Sequence, residues 1–245
     1  MDSEIPRYTV AVIGGTGPQG KGLGYRFALH GHDIVLGSRA AEKAEVVAEE
    51  LSLRLAGIAG AGVARGATNA DAVAAADVVL LAVPYDGHDE LVACLDLAGK
   101  TVISCVNPLA FDKRGAHGQV IKGGEGSAAE SAAELAPEAA VVGAFHNVSA
   151  IGLWSDDEFL DEDVIVVGDS VEGKQVAIDL AAAVTGRPGI DGGKLRLARV
   201  LEPYTAVLIS INRKYKVHAG IRVTGLDASR LGVGLSAKSR SACGG

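Results

Sequence analysis

The run Val10-Ala11-Val12-Ile13-Gly14-Gly15-Thr16-Gly17-Pro18-Gln19-Gly20, followed by Ile34-Val35-Leu36-Gly37-Ser38-Arg39, leaves this chain few folds to choose from. The first apolar stretch reads as a strand. Gly15, Gly17 and Gly20 have the G-x-G-x-x-G spacing of a turn that opens a helix, and the second stretch reads as the neighbouring strand. In that turn Gly15 permits the tight bend, Gly17 leaves room for backbone beside a pyrophosphate, and Gly20 lets the helix approach the sheet. Thr16, Pro18 and Gln19 complete the loop. Free backbone N–H groups at the helix start favour an anion. The pair of strands therefore reads as a dinucleotide-binding unit.

The end of the second strand selects the dinucleotide. A carboxylate there would suit the ribose hydroxyls of NAD. This chain places Ser38 and Arg39 there, a hydroxyl and a permanently charged fork of donors suited to a 2′-phosphate. Lys43 lies one helical turn beyond Arg39 and can face the same site. The cofactor expected is NADP(H). The structural alternative is a helix cap at Ser38 and a solvated charge at Arg39.

Further apolar runs extend the pattern. Residues 78–83 and 101–106 read as buried parallel strands, with residues 141–145 and 164–167 as two more. Helical segments are expected at 17–30, with Leu23, Phe27 and Ala28 inward, at 40–56, and at 70–76 with a cap at Asn69. The glycine-rich stretch 57–66 can hide a third strand, and residues 111–126 read as loop. Strands alternating with helices indicate a Rossmann-type, doubly wound, mainly parallel α/β sheet. The expected division is a dinucleotide-binding domain over 1–168 and a small C-terminal helical or α+β domain over 169–245. Within the latter, residues 195–211 read as helical despite Pro203.

Ligands of such sheets lie beyond the carboxyl ends of the strands. Val83, Pro84 and Tyr85 follow one strand, Asn107 and Pro108 the next, and Ala144 and His146 the one after. Val83, Gly143 and Ala144 are small or smooth enough to let a flat ring approach. His146 suits a proton donor, a ring neighbour of an acceptor or a satisfied structural group. No histidine has metal-ligand spacing, so no metal is expected, and no G-x-S-x-G elbow supports hydrolysis.

A formal net charge of -7 argues against a broad nucleic-acid surface. Three scattered cysteines exclude a disulfide framework, and Cys94 and Cys105 read as small buried hydrophobes. No apolar run reaches membrane-spanning length, and the acidic start Met1-Asp2-Ser3-Glu4 is unlike a signal peptide. A cytoplasmic location is the expectation, and the segment from 236 onward is expected to fray.

Gly14-Gly15-Thr16-Gly17, Gly37-Ser38-Arg39 with Glu42-Lys43-Ala44, Ala144-Phe145-His146-Asn147 and Leu201-Glu202-Pro203-Tyr204-Thr205 together resemble the NADPH-dependent coenzyme F420 reductases. The ending Ile211-Asn212-Arg213-Lys214-Tyr215-Lys216 with His218-Ala219-Gly220-Ile221-Arg222 is most similar to the actinobacterial branch. Archaeal relatives typically have His-Thr-Ile-Pro where this chain has His146-Asn147-Val148-Ser149. The resemblance implies a homodimer in which hydride passes reversibly between C4 of NADP(H) and C5 of the deazaflavin F420, a second substrate. It matches Gly15, Gly17 and Gly20 to phosphate binding, Ser38 and Arg39 to the 2′-phosphate, and His146 to the deazaflavin pocket. F420 carries an acidic phospholactyl-glutamyl tail, for which Lys113, Arg114, Lys122, Arg213, Lys214 and Arg222 are candidate counter-charges. Two other functions compete: an NADP-dependent reductase of a small carbonyl or imine, using His146 or Tyr85 as proton donor, and an NADP-binding redox sensor without turnover.

Overall fold

The computed structural model describes residues 6–121 and 126–226. Its frame follows from the two-residue side-chain alternation of a strand. In β1 (Thr9–Ile13), Val10 and Val12 enter one apolar layer and Ala11 and Ile13 the other, all fully buried. A strand buried on both faces needs helices on both faces.

The sheet has eight strands in the order β10-β9-β8-β5-β4-β1-β2-β3. Beside β1 lie β2 (Asp33–Ser38), β3 (Ala64–Thr68), β4 (Val78–Leu81), β5 (Thr101–Ser104) and β8 (Ala140–Gly143), all parallel. β9 (Ile165–Gly168) runs antiparallel to β8, and β10 (Ile190–Gly193) pairs in parallel with β9. Helices α1 (Pro18–Leu29), α2 (Ala41–Leu55) and α7 (Val171–Thr185) cover one face. α3 (Asn69–Ala74), α4 (His88–Val92) and α5 (Ala128–Leu135) cover the other. α6 (Ala150–Leu153) packs on α1, and α8 (Ala198–Tyr215) extends from the end of the sheet. The inward stripe expected on α1 is present, with Leu23, Phe27 and Ala28 fully buried. No helix among the described residues is long and apolar enough to cross a membrane.

Some expectations hold and others are corrected. The stretch 57–66 does contain the start of a strand, β3. The cap of α3 is Thr68, whose Oγ1 accepts from the Asp71 N–H at 3.2 Å, and Asn69 is the first helical residue. The stretch expected as loop holds an antiparallel hairpin, β6 (Leu109–Asp112) with β7 (Gly115–Gly118), closed by the Asp112 carboxylate accepting from the Arg114 and Gly115 N–H groups. Cys94 is exposed. Cys105 is buried, bonds the Leu81 carbonyl at 3.2 Å, and has its thiol pushed up to about 12 by burial. Cys243 and the segment from 236 lie outside the described residues.

Ala177, Ile178, Leu180, Ala181 and Val184 of α7 share one apolar cluster with Val10, Val12 and Leu23. The chain leaves the sheet only after β10, through a 3₁₀ turn at Leu195–Leu197 into α8. Pro203 sits inside α8 and does not end it.

One buried cation organises the segment after α6. Arg26 of α1 is fully buried and donates to the carbonyls of Leu153 at 2.9 Å, Gly152 at 3.0 Å, Glu158 at 2.9 Å and also Asp157. Its planar fork reaches several acceptors at once, which a lysine cannot do. Arg26→Met should therefore cost about 3 kcal/mol of unfolding free energy, because buried carbonyls lose their donors. Urea denaturation measures this, and Arg26→Lys should recover less than half of the loss.

Candidate functional site

Helix starts direct attention to one end of the sheet. α3, α5, α6 and α7 are capped by the side chains of Thr68, Ser127, Ser149 and Ser170. α1 and α2 have no side-chain cap: Gly17 and Ala40 stand at their N-cap positions. Both residues line the same groove of about 500 Å³, together with Gly14, Thr16, Ser38, Arg39, Lys43, Asn69, Val83, Pro84 and Asp86. Two uncapped helix starts present N–H donors and positive dipole ends to whatever fills the groove. The donor set suits an anionic ligand.

The glycines divide the work differently from the expectation. The left-handed residue of the turn is Gly14, at φ 84°, where a Cβ would lie 2.5 Å from the Ala82 oxygen. Gly15 has no positive φ; a Cβ on it would strike Leu36 at 2.8 Å, so its role is packing on β2. At Gly20 a Cβ would meet the Gly14 oxygen at 2.6 Å, so helix and turn touch there as expected. At Gly17 the nearest atom is the Gly14 oxygen at 3.4 Å, which leaves that side of the turn open. Pro18 takes the first helical position, where its missing N–H costs nothing.

Ser38 is half-buried at the end of β2, and its Oγ accepts from the Ala40 N–H at 3.4 Å, too long to cap α2 firmly. Arg39 and Lys43 are exposed and form no ion pair among the described residues. The Asn69 Oδ1 is buried without a hydrogen-bond partner in the same groove. Two cations, a hydroxyl and an unpaired amide oxygen thus meet in one groove.

A second groove, of about 580 Å³, adjoins the first across the start of α1. Gly17 lines one and Gln19 the other, on the same first turn. Gln19 also donates to the Phe145 and Val148 carbonyls at 3.3 and 3.4 Å, tying α1 to the turn after β8. The walls come from Asn107, from His146 and Asn147, from residues 148–151, from Thr205, Leu208, Ile209 and Asn212 of α8, and from residues 216–219.

The turn bearing His146 is held tightly. Phe145 has φ 63°, a left-handed conformation costly for a bulky side chain, and its ring packs edge-on against Phe27 at 5.6 Å. The His146 carbonyl accepts from Asn107 Nδ2 and from Thr205 Oγ1, both at 2.8 Å, while Asn147 Nδ2 donates to Thr205 Oγ1 at 3.0 Å. α8 is fixed at the same level by Glu202, whose carboxylate accepts from the Ala128 and Ala129 N–H groups at 2.8 and 3.0 Å. Burial raises that carboxyl to about 7 against the opposing pull of the two N–H groups. The imidazole of His146 is buried, and burial lowers its pKa to about 4 against the opposing pull of the Val106 backbone, whose contact falls outside good hydrogen-bond geometry. Burial therefore favours the uncharged ring at neutral pH, with one N–H and one acceptor nitrogen.

The structure brings Thr16, Gly17, Ser38, Arg39, Lys43, Val83 and Pro84 to the first groove and Gln19, Asn107 and His146 to the second. Gly15 and Gly20 act through packing. Tyr85 leans on the apolar layer under α4 with its ring 6.1 Å from that of His88, and it lines neither groove. Pro108 and Ala144 are buried and also line neither. The face of Gly143 is already covered, by His146 Nε2 at 3.0 Å from a would-be Cβ and by Val167 at 3.1 Å, so no flat ring approaches there. Gly14, Asn147, Thr205 and Lys216 were not singled out as site residues although they sit inside quoted motifs, so a signal existed; Asn69 was expected only as a helix cap, and Asp86 carried no signal.

Protonation follows from these environments. His146 binds its proton more weakly folded than free, so it contributes stability above pH 6.5 that is lost as pH falls through 6.5 toward 4, roughly 3 kcal/mol over that window. Glu202 has the opposite sign: its folded pKa is raised, and its contribution is lost as pH rises from about 4.5 through 7. Urea unfolding of the parent and His146→Leu at several pH values should therefore show a smaller acid loss in the variant.

Residues 9–108 match the family profile described as NADP oxidoreductase, coenzyme F420-dependent. The F420-dependent NADP reductase of Methanothermobacter thermautotrophicus is 40% identical over 222 residues, covering 89% of this chain and 95% of its own. That of Methanocaldococcus jannaschii is 38% identical over 223 residues, with 89% and 99% covered. A crystal structure from Arthrobacter sp. FB24, provisionally named as an F420-dependent NADP-reductase, superposes with a TM-score of 0.64 at 25% identity over 86% of this chain and 96% of that one. With this identity carried over nearly the whole length of both chains, the protein belongs to the F420-dependent NADP reductase family.

Proposed function

We propose that the protein is an NADPH:F420 oxidoreductase, transferring hydride reversibly between C4 of NADP(H) in the first groove and C5 of F420 in the second. The observation that carries this reading is the meeting of two unlike grooves across the first turn of α1, one lined by Arg39 and Lys43 and the other by apolar residues of α8. The nicotinamide and deazaflavin rings supply the redox chemistry themselves. The chain's task is binding, orientation and exclusion of water.

Each part of the site has a share in that task. The turn at residues 14–17 and the start of α1 hold the pyrophosphate on backbone N–H groups. Ser38, Arg39 and Lys43 hold the 2′-phosphate. Val83 and Pro84 border the path between the ribose end and the sheet's centre. Val148, Leu208 and Ile209 give the second groove apolar walls that keep water away. His146 acts as a neutral surface fixed through its carbonyl by Asn107 and Thr205. Val200, Tyr204 and Val207 form an exposed apolar strip on α8, which supports the expected homodimer.

Anaerobic mixing with NADPH and oxidised F420 tests the reading through loss of the deazaflavin's visible absorbance, with NADH and FMN as controls. Rapid bleaching with NADPH, weak bleaching with NADH and none with FMN is expected. Arg39→Ala should raise KM for NADPH roughly tenfold to hundredfold while leaving NADH unchanged, the loss of one charge-assisted contact. NADPH binding without F420 reduction would overturn the proposal and favour a carbonyl or imine reductase or a sensor.

A further inference from the structure

Among the described residues, only Phe145 and Lys216 adopt a positive φ without being glycine. Both flank the second groove: Phe145 precedes His146, and Lys216 lines the groove itself. Lys216 ends α8 at φ 58°, ψ 45°, and its N–H bonds the Asn212 carbonyl at 2.9 Å. Glycine is the usual residue at such a left-handed helix end, because any Cβ costs energy there. A lysine held there exchanges local stability for a side chain at that point.

Its surroundings indicate what the side chain is for. No aspartate or glutamate lines this groove, although the chain as a whole has 30 acidic and 23 Lys and Arg residues. The ammonium of Lys216 forms no ion pair among the described residues. The segment that follows is fixed: the Ala219 N–H donates to Asn212 Oδ1 at 2.6 Å, and the Ile221 carbonyl accepts from Asp163 at 2.7 Å. Lys216 was not among the counter-charges expected from the sequence, and those of them that are described lie elsewhere. Arg222 pairs with Asp161 and Asp163, Lys214 lies over the Tyr215 ring at 5.4 Å, and Arg114 sits at the turn of the β6–β7 hairpin. Arg213 and Lys113 line neither groove, and Lys122 falls outside the described residues.

We propose that Lys216 is the anion anchor of the second groove, selecting acceptors that carry a phosphate or carboxylate tail beyond their flat ring. This rests on the reading that the acceptor occupies that groove. In F420 the partner group is the phospholactyl-glutamyl tail. Lys216 is exposed, with its backbone fixed at the groove wall by the helix end, so its charge adds more affinity for the tail than for the ring and discriminates between a tailed and a tail-less deazaflavin.

Fluorescence titration of the full chain with F420 and with its tail-less deazaflavin core tests this, using the parent, Lys216→Gly and Lys216→Gln, alongside thermal unfolding. Both variants should weaken F420 about tenfold and leave the tail-less probe unchanged, with a flatter dependence on salt. Lys216→Gly should keep or raise Tm, because glycine removes the strained conformation. F420 affinity within about twofold of the parent in either variant, or equal weakening of both probes, overturns the anchor. A parent protein that binds no F420 overturns the proposed function as well, whereas tight parental binding with indifferent variants removes the anchor alone.

Discussion

The approach of α1 to the turn that precedes it is the contact on which the rest depends. At Gly20 the helix backbone lies so close to Gly14 and Gly15 that any side chain would separate them. That closeness sets the helix start at the end of β1 and places Gly17 and Gln19 on opposite sides of one turn. The two grooves are thus lined by residues of one helix turn. Hydride transfer between two bound rings requires that kind of proximity, and a side chain at Gly20 would disturb both halves together.

The two grooves differ in how their polar groups are satisfied. The first offers exposed charges and uncapped helix starts, groups that water hydrates at little cost. The second offers buried groups lacking partners, the Asn107 Oδ1 and both nitrogens of His146, within apolar walls. Buried orphans are expensive and persist where the surrounding structure enforces them. The enforcement is visible in the hydrogen bonds that clamp the His146 carbonyl and in the left-handed Phe145 beside it. Stability has been traded at this edge of the protein for a fixed, dry surface.

α8 joins the two ends of the chain's logic. Glu202 binds it to the start of α5, Thr205 binds it to the His146 turn, and Lys216 ends it at the groove. Within the motif Leu201-Glu202-Pro203-Tyr204-Thr205, Glu202 is buried and Thr205 half-buried, while Pro203 lies against Gly118 of β7 and Tyr204 is exposed. A helix that docks through a buried carboxylate and a hydroxyl must dock in one register, since a sliding contact would leave both unpaired.

What was legible in the sequence was whatever depends on local spacing. The alternating burial of Val10 to Ile13, the glycine turn, the placement of Ser38 and Arg39 after β2 and the stripe Leu23, Phe27 and Ala28 all follow from strand and helix periods. Tertiary packing decided the rest, because each remaining feature joins residues distant in the chain. Whether Gly14 or Gly15 takes the left-handed turn depends on Ala82 and Leu36. Ala144 and Gly143, open by their size, are closed by the core and by the ring of His146. The apolar side of α7 joins the layer built around Val10 and Val12, a contact between residues far apart in the chain. Period and composition specify which atoms a residue can offer; only the assembled neighbours determine which of those atoms remain free for a ligand.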